Sequence, residues 1–132
     1  MRFEDWEPHY TAILEYFGFE READEEAARV LADLAGGRDD IALLEALIRG
    51  RNVTVCGNAP SLPAELDRIE GTVLAADAAA EVLAGHGVRP DAVFTDLDGA
   101  TDIFIDLSRQ RTVMVVHAHG DNIPLLRHRS EE

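Results

Sequence analysis

From residue 52 onward the chain repeats one pattern four times: a short, apolar, β-branched run, a turn of Gly, Asp or small residues, then a helical stretch. Val53-Thr54-Val55-Cys56 leads into Gly57-Asn58-Ala59-Pro60-Ser61-Leu62 and a helix through Glu65, Leu66 and Ile69. Thr72-Val73-Leu74-Ala75 leads into Ala76-Asp77 and a helix from Ala78 to about Gly85. Ala92-Val93-Phe94-Thr95 leads into Asp96-Leu97-Asp98-Gly99 and a helical segment near Asp102 to Arg109. Thr112-Val113-Met114-Val115-Val116 leads into His117-Ala118-His119-Gly120-Asp121, and a last helix begins near Asn122. Short continuous apolar strands alternating with helices predict βαβ units and a buried parallel sheet.

Residues 1–50 carry a different period. Tyr10, Ile13, Leu14 and Phe17 recur at helical intervals, with Gly18 as C-cap. A second helix follows, with Asp24 as N-cap and Ala27, Ala28, Val30, Leu31 and Leu34 as its buried stripe, broken by Gly36-Gly37. Ile41, Leu43, Leu44, Leu47 and Ile48 mark a third helix that stops near Gly50. Trp6, Tyr10 and Phe17 read as core or interface aromatics. The expected fold class is α/β: a small N-terminal helical region (1–50), then a Rossmann-like parallel sheet with a strand-end active site (51–132).

Charge narrows the chemistry. Twenty-six acidic residues face 12 basic ones, for a formal charge of −14, and every base is Arg. Such a surface suits a high-salt cytoplasm, where counterions screen self-repulsion, and it argues against nucleic-acid binding, which needs a basic footprint. Without Lys the chain can build neither a P-loop nor a Schiff base. A single Cys, Cys56, excludes an internal disulfide and a multi-Cys zinc site. No apolar run approaches membrane-spanning length, and the N-terminus lacks a signal-peptide apolar stretch. The expectation is a soluble cytoplasmic chain with no membrane partner.

All four polar motifs fall just after a strand, at its carboxyl end, where open α/β sheets bind ligands. The Gly57-Asn58-Ala59-Pro60-Ser61 turn, leading into a helix, is a phosphate cradle, or else Ser61 is only an N-cap and Pro60 a turn residue. Asp77 is a helix cap or a metal or nucleotide contact. Asp96 and Asp98, two apart, can converge on a hard divalent cation, which takes oxygen ligands; as solvated turn residues they would be ordinary. His117 and His119, alternating on an extended segment, point the same way. They suit contacts to phosphate or substrate, a transition metal, or a structural pair, and Asp121 is another candidate cap. His9, His86 and His128 read as surface residues.

At these motifs the chain resembles the archaeal-type 6-hydroxymethyl-7,8-dihydropterin pyrophosphokinases, the MptE-like family, akin in structure to thiamin pyrophosphokinase. The resemblance rests on Gly57 to Leu62, Ala76-Asp77, Pro90-Asp91 with Thr95 to Gly99, and His117 to Asn122, in the family's order and spacing over roughly residues 50–127. It implies transfer of a pyrophosphoryl group from ATP to the hydroxymethyl group of a reduced pterin, releasing AMP, toward folate- or methanopterin-type cofactors. By that resemblance Asp77, Asp96, Asp98 and Asp121 would hold Mg2+ against the ATP phosphates. Gly57, Asn58, Pro60 and Ser61 would cradle phosphate, with Asp77 and Asn122 also on the nucleotide. His117 or His119 would stabilise charge or orient the pterin hydroxyl, beside Asp96 and Asp98 as catalytic residues. Family members continue with further strands, so the chain reads as C-terminally shortened and its α/β domain as incomplete.

Three other readings stay open. Val93 to Thr101 looks like the first motif of haloacid-dehalogenase-type phosphatases, with Asp96 as nucleophile and Asp98 as acid/base. Two βα units precede it, however, and the later Lys of that family is missing. His117-Ala118-His119-Gly120-Asp121 echoes a binuclear metallohydrolase ligand run, with no further ligand cluster after it. A shortened chain could also be a nucleotide-binding or dimerising module without turnover, and a homodimer is the candidate assembly.

Overall fold

The computed structural model describes residues 2–37, 41–98 and 102–129. The chain divides into two compact units, one of residues 37–117 and one that joins 1–36 to 118–131.

The second of these units is helical: α1 (Phe3–Phe17), α2 (Arg21–Ala35) and, from the other end of the chain, a seven-residue helix Ile123–Arg129. Asp5 opens α1 by accepting a hydrogen bond from the Arg2 N–H at 3.3 Å. Gly18 closes it with φ 70° and an N–H bonded to the Leu14 carbonyl, as the spacing predicts. The start of α2 differs from expectation. It begins at Arg21, three residues before Asp24, and Asp24 does not cap it. Tertiary partners claim the Asp24 carboxylate instead: the Tyr10 hydroxyl donates to it at 2.5 Å and the Gly120 N–H at 2.8 Å. That hydrogen bond first, and desolvation second, push the Tyr10 hydroxyl above its ordinary pKa. Of the expected α2 stripe, Ala27 and Val30 are buried, while Ala28 is exposed and Leu34 stays 42% exposed. Trp6 and Phe17 are also exposed, so neither is a core aromatic.

In the sheet unit, α3 (Ile41–Ile48) precedes β1 (Val53–Cys56), β2 (Thr72–Ala76), α4 (Ala79–Gly85), β3 (Ala92–Thr95), α5 (Asp102–Arg109) and β4 (Val113–Val116). The last helix, Ile123–Arg129, is then α6, and it packs on α2 within the helical unit. The four strands are parallel, in the order β1-β2-β3-β4. This is the expected α/β, Rossmann-like class. Apolar, β-branched strands form the middle because a parallel ladder buries them. Cys56, Ala75 and Val93 lie in register on one face and are 4%, 1% and 0% exposed. Leu83 of α4 and Leu107 of α5 are buried too.

Polar side chains pin the amino ends of the strands. The Asp91 carboxylate accepts from the Val73 N–H at 2.9 Å, and the Thr112 hydroxyl donates to the Pro90 carbonyl at 2.9 Å. Pro90-Asp91, part of the resemblance, therefore does structural work at the end of the sheet opposite the polar motifs. The crossover from β1 to β2 is not the expected helix. It is two three-residue 3-10 turns, Leu62–Ala64 and Leu66–Arg68, broken at Glu65. Pro63 sits in the first positions of that turn, where a missing N–H costs nothing, so it is compatible with the short tight form without dictating it. Among the described residues no helix is long and apolar enough to cross a membrane.

Candidate functional site

Each strand of the sheet unit ends in one of the polar motifs. In spatial order Gly57 follows β1, Asp77 follows β2, Asp96 and Asp98 follow β3, and His117 follows β4. With neighbouring strands about 4.8 Å apart, the row is on the order of 14 Å long. Backbone bonds tie the ends together: the Asp77 N–H donates to the Phe94 carbonyl at 2.9 Å, and the His117 N–H to the Thr95 carbonyl at 2.9 Å. Asp77 thus sits one strand from Asp96 along the same edge.

The local conformations aim these side chains outward. Asp77 has φ +45° and is exposed. It does not cap α4 with its side chain; only its carbonyl accepts, from the Ala80 N–H at 3.0 Å. Leu97 has φ +71° and is 7% exposed, a costly conformation for a branched apolar residue. Burial of its side chain and a 2.9 Å bond from its N–H to the Thr95 hydroxyl hold it there. Turning Leu97 inward leaves its neighbours on the outer side, Asp96 half-buried and Asp98 exposed. The Asp96 Oδ1 accepts from the Asp98 N–H at 3.0 Å, which fixes the turn. Gly99 of this motif lies outside the described residues.

The Gly57 turn is open. Gly57 has no positive φ, and a Cβ built there would meet nothing within 4 Å, so the local fold makes no demand for glycine. Asn58, Pro60 and Ser61 are exposed. The Ala59 and Leu62 N–H groups bond inside the turn, to Gly57 and Ala59 carbonyls. The expected cradle therefore lacks the dipole of a full helix and would rely on individual N–H groups and the Ser61 hydroxyl. Ser61 makes no side-chain cap.

His119, Asp121 and Asn122 belong to the helical unit, whereas His117 belongs to the sheet unit. His119 Nδ1 contacts the Asp121 carboxylate, and its backbone N–H donates to Asn122 Oδ1 at 3.1 Å. Asn122 is fully buried, and its own N–H returns to the His119 carbonyl at 3.1 Å, so its amide locks the turn that starts α6. Gly120 is required where it stands: a Cβ there would lie 2.7 Å from the Ala23 Cβ. Sequence reasoning assigned Asp24 to a cap and missed that it anchors this turn through Gly120. Nothing local signals that partnership, since 96 residues separate the two.

Chemically, the sheet edge offers hard carboxylate oxygens on two neighbouring strands, an open backbone turn on a third and an exposed imidazole on the fourth. That donor set fits a hard divalent cation of the Mg2+ type.

The profile of the family described as 6-hydroxymethylpterin diphosphokinase MptE-like matches residues 28–132. A 6-hydroxymethyl-7,8-dihydropterin pyrophosphokinase of Pyrococcus furiosus is 40% identical over 131 residues, covering 96% of this chain and 56% of its own length. One from Methanothermobacter thermautotrophicus is 39% identical over 132 residues, covering 96% and 57%. One from Methanocaldococcus jannaschii is 31% identical over 133 residues, covering 93% and 55%. The chain spans little more than half the length of these curated relatives.

Proposed function

Since the chain belongs to the 6-hydroxymethylpterin diphosphokinase MptE-like family, we propose that it carries the polyphosphate-handling part of a 6-hydroxymethyl-7,8-dihydropterin pyrophosphokinase. In that reaction the pterin hydroxymethyl oxygen bonds to the β-phosphorus of ATP and the bond from that phosphorus to the α,β-bridging oxygen breaks. AMP leaves with the bridging oxygen, and the hydroxyl proton passes to a base or to water. Such transfers depend on positioning and on neutralising phosphate charge, not on a covalent protein nucleophile.

The observation that carries this reading is the row of motifs on the carboxyl edge of the sheet, with Asp77 and the Asp96–Asp98 turn on adjacent strands. In the proposed roles Asp77, Asp96 and Asp98 hold Mg2+, which offsets the charge of the phosphates. Gly57, Asn58, Pro60 and Ser61 line the phosphate turn, where the open backbone at Gly57 lets a phosphate approach closely. Exposed His117, at the end of β4, donates to a phosphate or pterin oxygen. The motif match alone extends the assignment to Asp121 as a further metal ligand, to Asn122 on the nucleotide and to His119 beside His117 as a catalytic residue. Cytoplasmic location and ATP as donor belong to the same proposal.

The test is AMP formation from ATP, Mg2+ and 6-hydroxymethyl-7,8-dihydropterin, followed chromatographically. Pterin-dependent AMP that falls ~10²–10³-fold in Asp96→Asn supports the proposal. The share of the relatives' length that this chain covers favours one second reading, a nucleotide-binding module without turnover. Magnesium-dependent ATP binding with no AMP would select it. Release of inorganic phosphate from simple phosphomonoesters, without pterin-dependent AMP, would sink both.

A further inference from the structure

Asp24 stands in the first turn of α2, where the free N–H groups of a helix start already favour a carboxylate. Its oxygens are nonetheless committed elsewhere. Oδ1 accepts from the Gly120 N–H at 2.8 Å, across 96 residues of sequence, and Oδ2 accepts from the Tyr10 hydroxyl of α1 at 2.5 Å. The backbones are close as well. A Cβ on Gly120 would lie 2.7 Å from the Ala23 Cβ and 3.4 Å from the Asp24 nitrogen. The turn of residues 119–122 therefore lies directly against the start of α2, within the helical unit.

That turn does not need Asp24 in order to form. The His119 N–H on Asn122 Oδ1 and the Asn122 N–H on the His119 carbonyl close it, both at 3.1 Å, and Asn122 is fully buried. What the carboxylate adds is a charge-assisted bond, the stronger kind, at Gly120, the residue between His119 and Asp121. Those two side chains already meet, His119 Nδ1 on the Asp121 carboxylate. An anchor on the nitrogen between them limits the swing of both. We propose that Asp24 is a positioning residue, which through Gly120 fixes the orientation in which His119 and Asp121 are presented to the ligand. This role rests on the reading above, in which both side chains serve the Mg2+ and polyphosphate chemistry. Removing support of this kind costs ~10–100-fold in affinity, because a positioned group tolerates little displacement.

Titration of ATP with Mg2+ into the chain tests it, at a temperature where wild type and variants are folded. Asp24→Ala is expected to weaken binding ~10-fold. Asp24→Asn, whose amide oxygen still accepts from Gly120, should stay within about 3-fold of wild type. Asp24→Glu keeps the charge but moves the oxygens by one methylene, so it should behave like Asp24→Ala and replaces it if the alanine variant does not fold. Tyr10→Phe leaves the bond to Gly120 in place, so it should lower the melting temperature with little loss of ATP affinity. A double-mutant cycle with Asp121→Asn separates positioning from mere stability. If Asp24 acts through the turn, its loss costs little once Asp121 has lost its charge, and the two effects on affinity are non-additive. Additive effects, or a loss in Asp24→Ala no larger than in Tyr10→Phe, would overturn the positioning role and leave the reading of the site standing. If neither Asp121→Asn nor His119→Ala changes Mg2+-dependent binding, or wild type shows none, the positioning role falls together with that reading.

Discussion

Leu97 and Asp77 both hold left-handed backbone at the ends of adjacent strands, and neither is glycine. For Leu97 the cause is visible: its side chain is buried, and the turn that buries it presents Asp96 and Asp98 outward. Asp77 has no such packing, being exposed, so its conformation is unfavourable without a structural return. Asp77→Gly is therefore expected to raise stability, by up to about 1 kcal/mol in denaturant titration, while weakening Mg2+-dependent ATP binding. A loss of stability would show that the aspartate is held there for the fold. Tyr10 is the other residue with a measurable signature. Its hydroxyl is bonded to the Asp24 carboxylate and its pKa is raised above 10.0. Folding favours the protonated phenol, so this stabilisation is complete below pH 10 and is lost as pH rises through the higher folded-state pKa. Tyr10→Phe should cost about 1 kcal/mol at pH 7, and the gap between wild type and variant should close in alkaline melts. A gap independent of pH would contradict the assignment.

At the scale of elements, the local signals were legible wherever one force dominated. β1 and β3 occupy the residues that their apolar runs predict, as does α5, because burial in a parallel ladder leaves a continuous apolar signature. The first helix ends at Gly18 as expected, since the left-handed C-cap is a local requirement. Prediction failed where distant partners decided, and at the crossover from β1 to β2. Asp24 looked like a cap and became an anchor for Gly120, and the helix expected after Gly57 is two 3-10 turns around Pro63. The positions of the site motifs were legible because strand ends can be read from the pattern. Their orientation was not, because a left-handed Leu leaves no compositional trace. The buried face of the sheet gives the clearest energetic expectation. Leu83 of α4 is 0% exposed, so Leu83→Ala should cost about 3 kcal/mol by denaturant unfolding. Leu43→Ala on α3, 52% exposed, should cost little in this chain. Equal costs would mean that α3 is packed far more tightly than its exposure indicates.

For the whole molecule, charge and length set the terms of function. A chain of formal charge −14 that is to bind a polyphosphate has to overcome like-charge repulsion, and a cation at the proposed ligands Asp77, Asp96 and Asp98 would offset it locally. Binding should therefore be strictly dependent on divalent metal. The chain covers little more than half of its curated relatives, so ATP binding is a more direct probe of this account than turnover. Isothermal titration of ATP into the chain, with and without Mg2+, and into an Asp96→Asn variant of unchanged melting temperature, measures it. Mg2+-dependent binding that weakens at least ~10-fold in Asp96→Asn is the expected result. Binding that ignores both the metal and the substitution would contradict the placement of the site at this edge of the sheet.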